Sequence, residues 1–140
     1  MIERIPYLNI WNELAPHRQM VFISGPRQAG KTTLTEQIRS RFANSLYANW
    51  DEPEHRRLLI DNPHFYEEID RRDASRPLVV LDELHKFEDW KNYLKGAYDR
   101  DSHQFKFVVS GSGRLDAYQK GGDSLAGRYF LFYLWPLTLG

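Results

Sequence analysis

Residues 25–32 read Gly-Pro-Arg-Gln-Ala-Gly-Lys-Thr, a complete G-x-x-x-x-G-K-[ST] phosphate-binding loop. The apolar run Met20–Ile23 leads directly into it, and residues 33–38 continue with a helical pattern, which is the context that the motif requires. The glycines allow a tight turn whose backbone amides point at phosphate oxygens, while Lys31 adds a positive charge and the Thr32 hydroxyl can ligate Mg²⁺. The dipole of the following helix also favours a bound anion. This stretch therefore predicts nucleotide-phosphate binding.

The predicted nucleotide contacts come from the loop backbone and from the start of the following helix. They comprise Gly25, Pro26, Arg27, Gln28, Ala29, Gly30, Lys31, Thr32 and Thr33.

Length and composition restrict the alternatives. A chain of 140 residues suffices for one domain with a substantial core, so we expect a single nucleotide-binding core over residues 1–140. Nineteen Lys and Arg residues balance 19 Asp and Glu residues, so no net charge draws the chain to nucleic acid or to an anionic membrane. The absence of cysteine excludes disulfides and thiolate metal sites and favours a cytoplasmic protein. The charged start is unlike a secretory signal, and no apolar run approaches the length of a membrane span.

Apolar runs suited to buried parallel strands recur along the chain, with helical stretches between them. The predicted strands are Met20–Ser24, Ser45–Asn49, Pro77–Asp82, Phe105–Ser110 and Tyr129–Trp135. The predicted helices are Thr32–Phe42, Glu54–Ile60, Phe65–Arg72 and Asp89–Arg100, with a further short helix within residues 1–19. This alternation predicts an α/β fold, a three-layer doubly wound parallel sheet of about five strands.

A second motif lies at the end of the third predicted strand, where Leu78–Leu81 runs into the adjacent carboxylates of Asp82 and Glu83. In phosphate-loop proteins such an Asp holds Mg²⁺, and the neighbouring Glu can accept a proton from the water that attacks the γ-phosphate. An acidic pair alone is a weak signal, because strands often end in solvated acids. Together with the upstream loop, the pair predicts that Thr32 and Asp82 bind the metal and that Glu83 activates water.

Three further features allow more than one interpretation. Ser110 ends the fourth predicted strand, where its hydroxyl would contact the γ-phosphate or merely cap the strand. His85 is expected to hydrogen-bond the adjoining loop rather than to relay a proton. The acidic residues Asp51, Glu52 and Glu54 either approach the metal or cap the following helix, and we favour capping.

These motifs together resemble the prokaryotic AAA+-type ATPases that carry a C-terminal DUF4143 domain. The resemblance rests on the segments Gly25–Thr32, Tyr47–Glu54, Leu78–Lys86, Trp90–Lys95, Ser110–Ser112 and Ser124–Arg128. It implies a P-loop sheet of the ASCE class, in which the strand of Ser110 lies between the phosphate-loop strand and the acidic strand. It also implies ATP rather than GTP as the nucleotide, with the Mg²⁺ that the loop and the acidic pair predict. The sequence leaves the oligomeric state open, a homo-oligomer included. No Asn/Thr-Lys-x-Asp element for reading guanine occurs, which independently favours ATP over GTP.

The resemblance also singles out Arg128, which lies just before the last apolar run. AAA+ proteins offer an arginine finger to a neighbouring subunit from this place, and a permanently charged planar donor suits that role. The alternative is a pair with a local acid such as Asp123, while Arg27 and Arg114 are lesser candidates for the finger. In the ATPases that the chain resembles, a helical lid and the DUF4143 domain follow the last strand. We therefore expect a core cut before its lid, with weakened affinity and slow turnover.

The function predicted from these observations is Mg²⁺-dependent ATP binding and hydrolysis, with Lys31, Glu83, Ser110 and Arg128 as catalytic residues. The main alternative is a nucleotide-gated interaction module with little or no turnover. A small-molecule kinase is a third reading, and a nucleic-acid-remodelling ATPase, which the balanced charge does not support, is a fourth. The sequence identifies no protein partner.

Overall fold

A computed structural model of the chain describes residues 11–26, 31–112, 125 and 127–134, and every structural statement below concerns these residues. Five parallel strands form one sheet in the order β2-β3-β4-β1-β5. The strands are β1 (Met20–Ser24), β2 (Ser45–Asn49), β3 (Leu78–Asp82), β4 (Lys106–Gly111) and β5 (Tyr129–Tyr133). The predicted α/β fold is confirmed, and β4 lies between β1 and β3 as the family resemblance implied.

Three helices connect the strands: α1 (Lys31–Arg39), α2 (Pro53–Asp61) and α3 (Trp90–Asp101). Residues 11–14 are also helical, whereas the first ten residues of the predicted N-terminal helix lie outside the described part. Short 3-10 turns cover Phe65–Glu68 and Leu84–Lys86. Most strand and helix ends differ by one to three residues from those expected, as is usual where a terminal turn is marginal.

The prediction of a helix over Phe65–Arg72 was wrong, because only the 3-10 turn forms there. The backbone becomes extended at Ile69. Further on, the Arg72 amide donates to the Asn44 side-chain oxygen at 2.6 Å. An amide committed to a residue that precedes β2 cannot also serve a helical ladder. This tertiary bond has no local signature in the sequence.

The two faces of the sheet pack on different helices, because successive strand residues point to opposite sides. One buried cluster joins the sheet to α1 and to Trp11; it contains Val21, Ile23, Leu34, Ile38, Leu78, Val80 and Val108. The other joins the sheet to α3; it contains Met20, Phe22, Val79, Leu81, Trp90, Leu94, Tyr98, Phe107 and Val109. The central strands are buried on both faces, which explains why β1, β3 and β4 read as continuous apolar runs.

The strand register gathers polar residues at the carboxyl edge of the sheet. Asn49 pairs with Asp82, Asp82 pairs with Ser110, and Ser110 pairs with Ile23. Alternation places Asp82 on the same face as Val80, which is the face that α1 covers. The last residues of β2, β3 and β4 therefore lie side by side near the start of α1.

A buried lysine fastens the N-terminal segment to the opposite edge of the sheet. Lys106 is 0% exposed, and its ammonium donates to the carbonyl oxygens of Leu14, His17 and Gln19 at 3.1, 2.9 and 2.6 Å. The ammonium also lies 5.7 Å from the ring centroid of Trp11. These contacts satisfy all three N–H donors of the protonated side chain, and burial, followed by the charge of Arg76, lowers the pKa of Lys106 to about 7.

We expect Lys106→Met to lower the free energy of unfolding by roughly 1–3 kcal/mol, because it removes three hydrogen bonds to backbone carbonyls while keeping the apolar volume. Urea denaturation measures the change. Lys95→Met is the control, since Lys95 is exposed and forms only an i,i+4 pair with Asp99, and it should change the same quantity by less than about 0.5 kcal/mol. Equal effects of the two substitutions would contradict the anchoring role.

Candidate nucleotide-binding site

A polar cleft of about 170 Å³ opens at the carboxyl edge of the sheet, beside the start of α1. Its lining comprises Lys31, Thr32, Thr35, Asn49, Asp51, Asp82, Glu83 and Ser110. The structure thus brings together both predicted metal ligands and three of the four predicted catalytic residues. Arg128 is not among them.

A larger hollow of about 510 Å³ lies nearby and is lined by His85 and residues 87–92. It contains none of the predicted phosphate-binding or catalytic residues. Its size therefore does not make it the reaction site, and the smaller cleft is the candidate.

The start of α1 presents Lys31 to the cleft. The Lys31 ammonium donates to the carbonyl oxygens of Gly25 and Pro26 at 2.7 and 3.0 Å, and the residue is only 7% exposed. This side chain therefore folds back over the beginning of the phosphate loop. Thr32 is exposed at the first turn of α1, and its hydroxyl belongs to the cleft lining.

The remaining predicted loop contacts divide into two groups. Thr33 is half-buried on α1. Arg27, Gln28, Ala29 and Gly30 lie outside the described residues, so their predicted contacts stay predictions.

Two hydroxyl groups hold the Asp82 carboxylate. The Ser110 hydroxyl donates to Oδ1 at 2.7 Å, and the Tyr47 hydroxyl donates to Oδ2 at 2.7 Å. Asn49 in turn donates to the Tyr47 oxygen at 3.3 Å. Both donors to Asp82 are uncharged, so the carboxylate is oriented without being neutralised. Burial, followed by the bond to Asp82, raises the pKa of Tyr47, so this hydroxyl stays protonated.

Glu83 follows in a left-handed backbone conformation, with φ of 56°. Such a φ is uncommon for a residue with a side chain and costs roughly 1–2 kcal/mol. The Ser112 amide and hydroxyl donate to Oε1 and Oε2, each at 3.0 Å. The Lys86 ammonium lies 3.4 Å from Oε2, and His85 Nε2 lies 3.6 Å from it. The carboxylate is therefore held on both oxygens beside Asp82.

His85 makes no hydrogen bond through Nδ1, which is buried without a partner among the described residues. The predicted bond to the adjoining loop stays a prediction. The ring packs against Gly111, where an added Cβ would lie 2.5 Å from Nδ1. Burial lowers the pKa of His85, which favours the neutral imidazole. The residue fills space beneath the end of β4.

The acidic segment after β2 has separate roles for its members. Asp51 lines the cleft and accepts from the Lys86 ammonium at 2.8 and 3.0 Å. This bond raises the pKa of Lys86. Glu52 is the N-cap of α2 but makes no side-chain cap bond, and Glu54 lies in the first turn of that helix. Glu52 and Glu54 therefore lie at the predicted capping positions, although Glu52 makes no side-chain cap bond. Asp51 lines the cleft instead.

Arg128 lies at the other end of the sheet. Its guanidinium donates to Asp99 on α3 at 2.9 and 3.3 Å, which raises the pKa of the arginine. The local acid partner is thus Asp99, and Asp123 and Arg114 lie outside the described residues. The Arg128 carbonyl accepts from the Met20 amide at the first residue of β1, whereas the phosphate loop begins after the last. At about 3.3 Å per strand residue, roughly 13 Å or more separates Arg128 from its own cleft.

Sequence reasoning missed three residues of the site, Tyr47, Lys86 and Ser112. Tyr47 reads as one more strand aromatic, and only the pairing of β2 with β3 shows that its hydroxyl reaches Asp82. Lys86 lies three residues after Glu83, a spacing that could have indicated the contact if the turn had been foreseen. Ser112 lies after the strand of Ser110, and in the sequence it stands out only within the Ser110–Ser112 segment of the family resemblance.

The donor set fits Mg²⁺ carried with a nucleotide. Mg²⁺ prefers oxygen ligands, keeps several waters and commonly uses one or two carboxylates together with substrate phosphates. The Thr32 hydroxyl and the Asp82 carboxylate supply such oxygens, and Glu83 and Asp51 add negative charge at the same cleft. Within the described ranges, no group of three or more His, Cys, Asp or Glu residues could hold a metal by itself.

Comparison with known proteins shows the family of the chain. Residues 17–140 match the AAA_14 family, an AAA domain. The chain belongs to this family. Its fold and motifs are those of a nucleotide-binding P-loop core of the AAA+ type.

Two curated relatives are the uncharacterized proteins Mb2031c of Mycobacterium bovis and Rv2008c of Mycobacterium tuberculosis. Each is 29% identical over 126 residues, which is 89% of this chain and 27% of the relative. The chain therefore spans about a quarter of the length of these relatives.

Several solved structures share the fold. Drosophila ORC bound to DNA has a TM-score of 0.65 at 11% identity, covering 96% of this chain and 43% of that one. Aeropyrum pernix ORC1 in complex with DNA has a TM-score of 0.63 at 15% identity, with 99% and 46% covered. C. elegans PCH-2 has a TM-score of 0.54 at 13% identity, with 96% and 41% covered. At these identities the likeness shows the fold alone.

None of the helices in the described ranges has both the length and the apolar character needed to cross a membrane.

Gly25 is required by a close approach of two backbone segments. Its φ is +158°, and a Cβ at this position would lie 2.6 Å from the Leu134 carbonyl oxygen. Leu134 cannot retreat freely, because its amide donates to the Ser24 carbonyl at 2.8 Å. The first glycine of the motif therefore also lets the chain after β5 pass the phosphate loop.

We expect Gly25→Ala to lower the free energy of unfolding by roughly 1–3 kcal/mol, since the new methyl group overlaps a fixed carbonyl. Chemical denaturation measures this change. Gly96→Ala is the matched control, because Gly96 lies within α3 with nothing within 4 Å of its added Cβ. That substitution should instead stabilise the protein by about 0.5–1 kcal/mol. A Gly25 variant as stable as the wild type would refute the steric argument.

Proposed function

We propose that this chain is the Mg²⁺-dependent ATP-binding and ATP-hydrolysing core of an AAA+-type ATPase. The observation that carries the proposal is the meeting of Lys31, Thr32, Asp82, Glu83 and Ser110 in one cleft. These are the residue types that phosphoryl transfer to water needs: a cation for the phosphates, oxygen ligands for the metal and a carboxylate for the attacking water.

The phosphate side of the cleft would be formed by Lys31 and by the amides of the loop. Lys31 would exchange its bonds to the Gly25 and Pro26 carbonyls for bonds to the β- and γ-phosphates. Thr32 and Asp82 would hold the metal. A bound Mg²⁺ would neutralise negative charge on the β- and γ-phosphate oxygens.

Glu83 is the proposed base and water-orienting residue. Ser112 fixes the carboxylate through both oxygens. Since a carboxylate oxygen has two lone pairs, Oε1 can accept from a water as well as from the Ser112 amide. Ser110 remains the proposed γ-phosphate contact. In that role its hydroxyl hydrogen turns from Asp82 to a phosphate oxygen.

Calorimetric titration with ATP, GTP and Mg²⁺, followed by phosphate release, tests the proposal. Lys31→Ala should weaken ATP binding roughly 10- to 100-fold, because it removes charge-assisted bonds to the phosphates. Glu83→Gln should bind ATP within about twofold of the wild type while phosphate release falls about 100-fold or more.

Two exposed residues outside the cleft lining supply controls, Lys95→Ala for the lysine and Glu54→Gln for the glutamate. Both should match the wild type in binding and turnover. Equal ATP binding by the wild type and Lys31→Ala would sink the proposal.

The alternative function is a nucleotide-gated interaction module. The bonds from Ser112 to Glu83 favour it, because they link the cleft to the segment after β4, through which occupancy could be passed on without turnover. Nucleotide binding that depends on Lys31, with phosphate release no faster in the wild type than in Glu83→Gln, would favour this function.

We also propose that Arg128 serves the nucleotide of a neighbouring subunit in a homo-oligomer. Its place at the opposite end of the sheet from its own cleft supports this role, and its planar, permanent charge suits a developing phosphoryl charge. Asp99 holds the guanidinium in the single chain, so the neighbour's phosphates would have to displace this acid. We further propose that residues 1–140 form one nucleotide-binding core, of the kind found in ATPases with a C-terminal DUF4143 domain.

Mixing two inactive variants tests the shared site. Arg128→Ala subunits retain Glu83, and Glu83→Gln subunits retain Arg128, so random assembly should restore roughly a quarter of the sites and of the wild-type rate. Phosphate release from an equal mixture measures this. A mixture no faster than the average of the two separate variants would exclude action between subunits.

A further inference from the structure

We infer that Tyr47 is a positioning residue of the metal site, whose hydroxyl fixes the carboxylate of Asp82 in the orientation that Mg²⁺ needs. The inference rests on the proposed function, since it concerns the same cleft. It adds a residue on β2 to a site otherwise built from α1, β3 and β4.

The geometry at Asp82 carries the argument. Tyr47 and Ser110 donate to different oxygens of the carboxylate, Oδ2 and Oδ1, each at 2.7 Å. One donor comes from the strand on each side of β3, because β2 and β4 are its neighbours in the sheet. The carboxylate is thus held from both sides. When the Ser110 hydroxyl turns to the γ-phosphate, as proposed above, Tyr47 is the donor that keeps Asp82 oriented. Each oxygen keeps a lone pair for a metal or a metal-bound water.

The kind of donor also matters. A lysine or arginine at this place would neutralise Asp82 and weaken its attraction for a cation. A tyrosine hydroxyl orients the carboxylate and leaves its charge intact. Partners that orient metal ligands in this way commonly contribute 10- to 100-fold to metal affinity or activity.

Tyr47 is itself held in place, as a positioning residue must be. Asn49 donates to its oxygen at 3.3 Å, and the Asp51 amide fixes Asn49 by donating to its side-chain oxygen at 2.9 Å. The Arg39 guanidinium lies 5.5 Å from the centroid of the Tyr47 ring, and His55 meets the ring edge-on with centroids 6.4 Å apart. The ring also packs against the buried cluster beneath α1. Both ends of the side chain are therefore constrained.

The test measures metal binding directly. Mn²⁺ serves as the probe for Mg²⁺, and its electron paramagnetic resonance signal is titrated in the presence of saturating ATP. Tyr47→Phe should raise the half-saturating Mn²⁺ concentration about 10-fold or more, because the ring stays and only the bond to Asp82 is lost. ATP affinity measured without metal should stay within about twofold of the wild type.

Tyr66→Phe is the matched control. Its hydroxyl also donates to a carboxylate, that of Asp101 at the end of α3, and its ring packs on Phe105 and Phe107 away from the cleft. Both variants remove a hydroxyl that donates to a carboxylate, so a shift caused by lost stability alone would appear in both. A shift in Mn²⁺ binding should appear only in the Tyr47 variant.

The outcomes separate the inference from the proposed function. No ATP binding by the wild type defeats the proposed function, whereas wild-type binding with an unchanged Mn²⁺ titration in Tyr47→Phe overturns the inference alone. Equal losses of metal-free ATP affinity and Mn²⁺ affinity would make Tyr47 merely structural and would also overturn it. If Tyr47→Phe does not fold, Asn49→Ala removes the donor to Tyr47 instead. We then expect the half-saturating Mn²⁺ concentration of Asn49→Ala to rise a few fold. An unchanged concentration would overturn the inference.

Discussion

The position of β4 between β1 and β3 is the constraint on which the rest of the structure depends. Parallel pairing on both sides of β4 brings the end of β1, where the phosphate loop begins, within one strand of the acidic end of β3. The same pairing puts Ser110 directly beside Asp82. Helices cover both faces, so all the central strands can be apolar until their last residue. The residues of the candidate site therefore gather at one edge of the sheet, where the strands end.

At that edge, neutral hydroxyl groups organise charged ones. Asp82 is oriented by the Tyr47 and Ser110 hydroxyls, and Glu83 by the Ser112 amide and hydroxyl, so both carboxylates lose rotational freedom. In the proposed reaction, such preorganisation would lower the cost of arranging a metal and a water. Lys86 lies at the rim, where it binds Asp51 and approaches Glu83, and it ties the segment after β2 to the acidic strand. Hydrogen bonds and ion pairs therefore connect the polar side chains of the cleft.

Charged residues at the opposite edge of the sheet have other roles. Lys106 binds three carbonyls of the chain before β1. Arg128 directly precedes β5 and pairs with Asp99. Parallel strands give the sheet two chemically distinct ends, and a residue at one end cannot serve the other. Because Arg128 and the cleft lie at opposite ends of the sheet, the proposed role of Arg128 concerns the nucleotide of a neighbouring subunit. The balanced net charge of the sequence does not indicate this separation.

The sequence by itself determined the phosphate loop, the acidic strand, the five strands and the fold class, because each depends on local pattern: glycine spacing, apolar periodicity and the residue that ends a run. The place of β4 between β1 and β3 came only through the family resemblance, and the edge positions of β2 and β5 came from the structure. Tertiary structure alone decided that Phe65–Arg72 is not a helix, that Tyr47 reaches Asp82, that His85 lacks a partner at Nδ1 and that Asp99 holds Arg128. Each of these depends on a contact between residues far apart in the chain, or on the burial that such contacts produce. Local pattern specifies which residues can do chemistry, whereas strand register and packing specify which of them meet.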